Sequence, residues 1–252
     1  VNNTPILQVT DLCKRFGGVL ATNHINLDVV QGEVHALIGP NGAGKTTLIS
    51  QLSGMLKPDS GRIIFKGKNL TGKAAHKFAR AGLARSFQIT SLFADMTLLQ
   101  NVALAVQAHA GHSFSFWRNA GKDKRLLEPA YHYLQTTGLA NRANAVASTV
   151  SHGERRQLEV AMALATEPSL LLLDEPMAGM GPEESASMVE ILQKLSGEKT
   201  ILLIEHDMDA VFALADRISV LVYGSIIATG TQQQIQANAE VKAAYLGETV
   251  DA

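Results

Sequence analysis

Cysteine is almost absent: Cys13 is the only one in 252 residues. An intrachain disulfide framework is therefore excluded, and the natural reading is a chain for a reducing, cytosolic compartment with Cys13 as a small packing residue. An excess of one charge is missing too, with 22 Lys and Arg against 23 Asp and Glu for a net charge of −1. No basic block approaches a nucleic-acid footprint, so nucleic acid is not the expected partner. Long apolar runs are lacking as well. The runs at 170–173 and 218–223 are strand-sized, far short of the roughly 20 residues of a membrane span. Any membrane contact is then peripheral. Residues 2–8 have neither the basic flank nor the apolar core of an export signal. Internal repeats and low-complexity tracts are not seen, and His109 and His112 are too sparse for a zinc site.

What is present is apolar material, 46% of the residues, ample for the core of a large α/β domain. Residues 6–9 and 25–29 read as short strands, 34–38 as a buried strand, and 62–65 as an edge strand after the turn 57–61. Helical spacing begins at Thr46 with Leu48, Ile49, Leu52 and Met55. From about 90 to 164 the pattern turns helical, as in Leu98, Leu99, Val102, Val106 and in Leu126, Leu127, Ala130, Leu134. Between these helices, Phe114, Phe116 and Trp117 mix with Arg118, Lys122 and Lys124. That stretch reads as a solvated loop with an aromatic anchor, or as a surface facing a membrane or partner. Continuous apolar runs at 170–173 and 200–204 then read as parallel strands, with Ile191, Leu192 and Leu195 on the connecting helix. Two late antiparallel strands, 218–223 and 226–228, flank a turn at Gly224, and 232–246 reads as a helical tail. The expected architecture is an α/β core over 1–88 and 165–230, an inserted helical subdomain over about 89–164, and a tail over 231–252, all one domain.

Gly39-Pro40-Asn41-Gly42-Ala43-Gly44-Lys45-Thr46-Thr47 matches the phosphate-loop pattern, between an apolar strand and a helix as that pattern requires. Its glycines let backbone N–H groups converge on phosphate oxygens, Lys45 reaches the β- and γ-phosphates, and the Thr46 hydroxyl holds Mg²⁺. Four leucines run into Asp174-Glu175-Pro176. Asp174 suits Mg²⁺, directly or through water, and Glu175 suits a base that polarises the attacking water. A further strand ends in Glu205-His206-Asp207, where His206 is placed for the γ-phosphate. Gln88 follows Arg85-Ser86-Phe87 where core gives way to helices, a place for a γ-phosphate sensor. Ser151-His152-Gly153-Glu154 opens another helix, a second anion-binding start that one nucleotide does not need. Two such cradles suggest that two copies of the domain share their nucleotides.

These residues, in this order, resemble the nucleotide-binding domain of ATP-binding cassette (ABC) proteins over about residues 6–246. The resemblance implies an α/β P-loop NTPase (RecA-like) core with an antiparallel β subdomain and an inserted α-helical subdomain. It implies Phe16 stacked on adenine, Gln88 as the Q-loop glutamine and an Mg²⁺ ligand beside Thr46 and Asp174, Glu175 as catalytic base and His206 as switch histidine. Ser151 and Gly153 would contact ATP bound by the opposing subunit. Gly181 stands where the family's D-loop more often carries aspartate or asparagine. Within the family, GPNGAGKTTLI, the long insertion after SFQ, LEVAMAL, IEHDM and AAYLGE are similar to the larger-type ATPase subunit of branched-chain amino acid importers. His152 stands where that subfamily commonly has tyrosine, and Glu154 replaces the usual glutamine. The resemblance implies ATP hydrolysis driving uptake of a small solute. It implies transmembrane permease subunits, a second ATPase subunit in a homo- or heterodimer, indirectly a periplasmic solute-binding protein, and a place on the inner face of the cell membrane. The competing readings are a soluble cassette ATPase not coupled to transport and a cassette that only binds ATP.

Overall fold

In a computed structural model, residues 5–86, 92–110 and 123–246 are described; the aromatic-basic stretch at 114–122 and Gln88 lie outside them. Two sheets organise the chain. The first is antiparallel, in the order β2-β1-β4-β5, from β1 (Pro5–Phe16), β2 (Val19–Val30), β4 (Ser60–Phe65) and β5 (Lys68–Asn69). Alternate residues of its long strands, Leu7 and Val9, Ile25, Leu27 and Val29, are buried. That period of two turns one face to the core and the other to water. The strand expected at an edge, β4, is instead flanked by β5, whose two residues no periodicity could reveal.

The second sheet runs β10-β9-β3-β8-β7-β6, from β3 (Val34–Ile38), β6 (Leu83–Arg85), β7 (Leu170–Asp174), β8 (Thr200–Ile204), β9 (Arg217–Val222) and β10 (Ser225–Gly230). All neighbours are parallel except the β9–β10 hairpin. Every residue of β3, β7 and β8 is buried, because both faces are covered. Leu170, Leu172, Leu202 and Ile204 pack with Leu48, Ile49 and Leu52 of α1 (Lys45–Leu52) and with the antiparallel sheet. Leu171, Leu173, Ile201 and Leu203 face the other way, onto Met188, Ile191 and Leu192 of α6 (Pro182–Leu195).

Three helices form the inserted layer: α3 (Leu98–His109), α4 (Lys124–Thr136) and α5 (His152–Leu164). They close on Leu98, Val102, Ala130, Leu134, Leu158 and Ala161. Short helices that sequence patterning did not separate are α2 (Ala75–Ala81) before β6 and α7 (Met208–Leu214) after β8. The expected continuous tail is broken. After α8 (Gln232–Ala237), Asn238 takes an extended conformation and its side chain caps α9 (Ala239–Val241). Asn at that point competes for backbone donors and restarts the helix rather than continuing it.

Candidate active site

The carboxyl ends of β3, β8 and β7, adjacent in the sheet, all deliver functional side chains to one edge, the general location of ligand sites in parallel sheets. From β3 the chain enters the loop 39–44 and then α1. Gly44, the residue before α1, has φ +105°, and a Cβ there would meet the Ala21 carbonyl oxygen at 2.2 Å, so only glycine fits. No side chain caps α1, which leaves its first-turn N–H groups for an anion. Lys45 is buried, and its Nζ donates to the carbonyls of Gly39 at 2.5 Å and Pro40 at 3.0 Å. Burial pulls the ammonium pKa down, and the nearby carboxylates of Glu175 and Asp174 pull it up. Thr46 is exposed beside it. A cavity of about 350 Å³ joins residues 41–47 to Glu175, Val19, Leu20, Ala21 and Tyr223.

β7 ends in Asp174, which is buried, with Oδ2 accepting a hydrogen bond from Arg85 Nη2 at 2.8 Å. Arg85 also donates to Ser53 Oγ at 3.2 Å, so the β6 end orients this carboxylate. The next residue, Glu175, has φ +50°, and its N–H donates to the Ile204 carbonyl at 2.9 Å. Such a backbone is costly for a residue with a Cβ and clusters at functional sites. β8 supplies Glu205 and His206. The His206 ring is largely exposed, with Nδ1 3.8 Å from Glu175 Oε1 and 3.8 Å from Glu205 Oε2. That spacing is too long for a hydrogen bond, which leaves the ring nitrogen able to engage a ligand.

Glu205 was legible only as a neighbour of His206, yet it holds the site together. Fully buried, it accepts N–H bonds from Met177 at 3.0 Å and from His206 at 3.1 Å. Its carboxylate ties the segment after Glu175 to the histidine loop. Burial raises its pKa, against the lowering effect of those N–H bonds. An acid closing an apolar strand, the signal that found Asp174, was equally present here.

The oxygen donors fit Mg²⁺. Among the described residues no group of three or more His, Cys, Asp or Glu side chains could hold a metal by itself. A small hard cation that arrives with phosphate needs only one or two protein oxygens, and the Thr46 hydroxyl and Asp174 carboxylate are oxygens of that kind.

Ser151 and Gly153 are not among the residues lining this cavity. Ser151 is the N-cap of α5: its Oγ accepts from Glu154 N–H at 3.1 Å while Glu154 Oε2 accepts from Ser151 N–H at 2.9 Å. Glutamate and glutamine serve this reciprocal cap alike, which accounts for Glu154. Ser151 Oγ also donates to Glu184 Oε1 at 3.1 Å, and Glu184 Oε2 accepts from Gly181 N–H at 3.4 Å. A Cβ on Gly153 would lie 2.5 Å from the Glu184 carboxyl carbon, so glycine makes the approach possible. The His152 ring lies 3.6 Å from where a Cβ on Gly179 would stand. Within one chain the α5 start is thus fastened to the α6 start. Phe16 is half-exposed under the Lys14 ammonium, 5.6 Å from its ring, and lies outside the cavity lining.

Such a phosphate loop, with paired acids and a histidine on neighbouring strands and a helical layer inserted between β6 and β7, defines a cassette-type ATPase. The chain belongs to the ABC transporter family, whose model matches residues 22–178. A second model, the branched-chain amino acid ATP-binding cassette transporter, matches residues 225–251. The chain is 41% identical to the high-affinity branched-chain amino acid transport ATP-binding protein BraF of Pseudomonas aeruginosa, covering 97% of this chain and 98% of that one. It is 40% identical to LivG of Escherichia coli, described likewise, at 97% and 98% coverage. Among solved structures it is similar to an ABC transporter cassette in its ADP conformation, with TM-score 0.84, 30% identity, and 97% and 99% coverage.

Proposed function

We propose that this chain is the ATP-hydrolysing subunit of an importer for branched-chain amino acids or a related small solute, working as one of two cassettes beneath membrane permeases. The observation that carries the chemistry is the convergence of Lys45, Asp174, Glu175 and His206 on adjacent parallel strand ends. Backbone N–H groups of 41–46 and the Lys45 ammonium hold the phosphates and take up charge as the bond between the β,γ-bridging oxygen and Pγ breaks. Water adds to Pγ in line and its proton passes to Glu175, leaving ADP and phosphate. His206 contacts the γ-phosphate and reports its loss. Mg²⁺, when bound through Thr46 and Asp174, with Gln88 as a third ligand, neutralises phosphate charge. Phe16 flanks the adenine, and Thr47 completes the cradle.

Ser151 and Gly153 serve the nucleotide of the second cassette, which is why they stand apart from the cavity of their own chain. No helix among the described residues is long and apolar enough to cross a membrane. An apolar cavity of about 390 Å³ between sheet and helical layer, lined by Met55, Phe78, Leu92, Ala105 and Met162 among others, suits a docked permease segment on the inner membrane face. A periplasmic solute-binding protein would act through those permeases. The test is Glu175→Gln: nucleotide affinity should be retained while steady-state hydrolysis falls roughly 100-fold or more. His206→Ala, in the same assay, should lower kcat with affinity nearly unchanged. Normal turnover of the glutamine variant would remove Glu175 as the base.

A further inference from the structure

Tyr223 occupies a position that its side chain makes expensive. The register Ser225↔Val222 leaves only Tyr223 and Gly224 between β9 and β10, with φ +46° and +78°. A two-residue hairpin with positive φ at both centres prefers Asn-Gly or Asp-Gly, because short polar side chains tolerate the left-handed region. A bulky residue there is a genuine outlier. Burial does not offset the cost, since Tyr223 is 87% exposed. The ring contributes neither to the turn nor to the core.

Its surroundings explain it better. The turn is fastened to the phosphate loop: Gly224 N–H donates to the Ala43 carbonyl at 2.9 Å, and Asn23 N–H donates to the Gly224 carbonyl at 2.8 Å. Asn23 Nδ2 also donates to Ser225 Oγ at 3.2 Å. Tyr223 is therefore held at a set place relative to residues 41–47, and it lines their cavity. That cavity has two chemistries. Lys45, Thr46, Thr47 and Glu175 form a polar region, whereas Val19, Leu20, Ala21 and Tyr223 carry no charge. Phosphates belong to the former, and the uncharged part is suited to an aromatic base and its ribose.

We infer that Tyr223 is a nucleotide-binding residue whose ring packs on the nucleoside part of the ATP held by the phosphate loop. This rests on the ATP-binding reading above. Strain accepted at an exposed aromatic is then the cost of presenting a flat face to the ligand.

Calorimetric titration of the full chain with AMP-PNP, and separately with inorganic tripolyphosphate, tests it. Tyr223→Asn installs the preferred turn, so its melting temperature should rise or hold. Its Kd for AMP-PNP should weaken about 5- to 10-fold, the scale of one lost aromatic stack. Its Kd for tripolyphosphate should not change, and Tyr223→Phe should keep AMP-PNP affinity within about twofold of the native chain. An unchanged AMP-PNP affinity in Tyr223→Asn overturns the inference. So does an equal loss for tripolyphosphate, which would mean a disturbed loop rather than a missing nucleoside contact. Failure of the native chain to bind AMP-PNP would instead sink the ATP-binding reading, and this one with it.

Discussion

Glu175 combines a positive φ with a backbone bond to Ile204, and across 3.8 Å faces His206. Glu205 ties the two segments together, accepting N–H bonds from Met177, two residues after Glu175, and from His206. Its buried carboxylate binds its proton more tightly in the folded chain than in the unfolded one, since burial raises its pKa. Between the ordinary glutamate value of 4.5 and that raised value the folded state holds more protons, so this group's contribution to stability falls as pH rises. Glu205→Gln removes that component. Denaturant unfolding from pH 4.5 upward should therefore show the native chain losing stability relative to the variant as pH increases. A pH-independent offset is expected on top, because an amide cannot accept from both Met177 and His206 N–H groups. A constant difference across the range would mean that Glu205 is not the titrating group.

At the scale of elements, α5 shows how an unusual signature preserves local physics. Its start needs an N-cap and a reciprocal partner three residues on, which Ser151 and Glu154 provide. Glu154→Gln should leave thermal stability almost unchanged, whereas Glu154→Ala should cost about 1 kcal/mol, the usual worth of the one hydrogen bond it makes to the Ser151 N–H. Equal losses in both, measured by thermal unfolding, would show that charge rather than the cap matters, through the Arg142 ion pair at 3.3 Å. Gly181 carries no side chain to contact anything, yet its N–H donates to Glu184. One link between the segment after Glu175 and the α5 start therefore runs from the Gly181 backbone through the Glu184 carboxylate to Ser151, with no side chain at 181.

For the whole molecule, the separation of Ser151 from the phosphate loop's cavity carries the proposal of shared nucleotides. The Ser151 hydroxyl has one proton, which it gives to Glu184 in the single chain. Contact with a partner's phosphate requires that bond to open. In a Glu175→Gln background, ATP should drive a dimer visible by size-exclusion chromatography with light scattering. Adding Ser151→Ala should raise the ATP concentration needed. A dimer indifferent to that change would place the second anion site elsewhere.

The sequence by itself determined the elements whose signal is local: the phosphate loop, the apolar strands at 34–38, 170–173 and 200–204, the helix face of Leu98, Leu99, Val102 and Val106, and the α5 start. Each is written in periodicity or in spacing within one turn, and backbone sterics and hydrogen bonding enforce them on the spot. Short pieces such as β5 and α2 escaped, because two to seven residues hold too little pattern, and Asn238 broke a tail that composition made look continuous. Only the tertiary structure decided that Arg85 orients Asp174, that Glu205 joins two loops, that Glu184 meets Ser151, and that Tyr223 stands beside the phosphate loop. These pairings lie tens to hundreds of residues apart. No propensity of either partner encodes them; they exist because parallel strands pack in an order the chain itself does not follow.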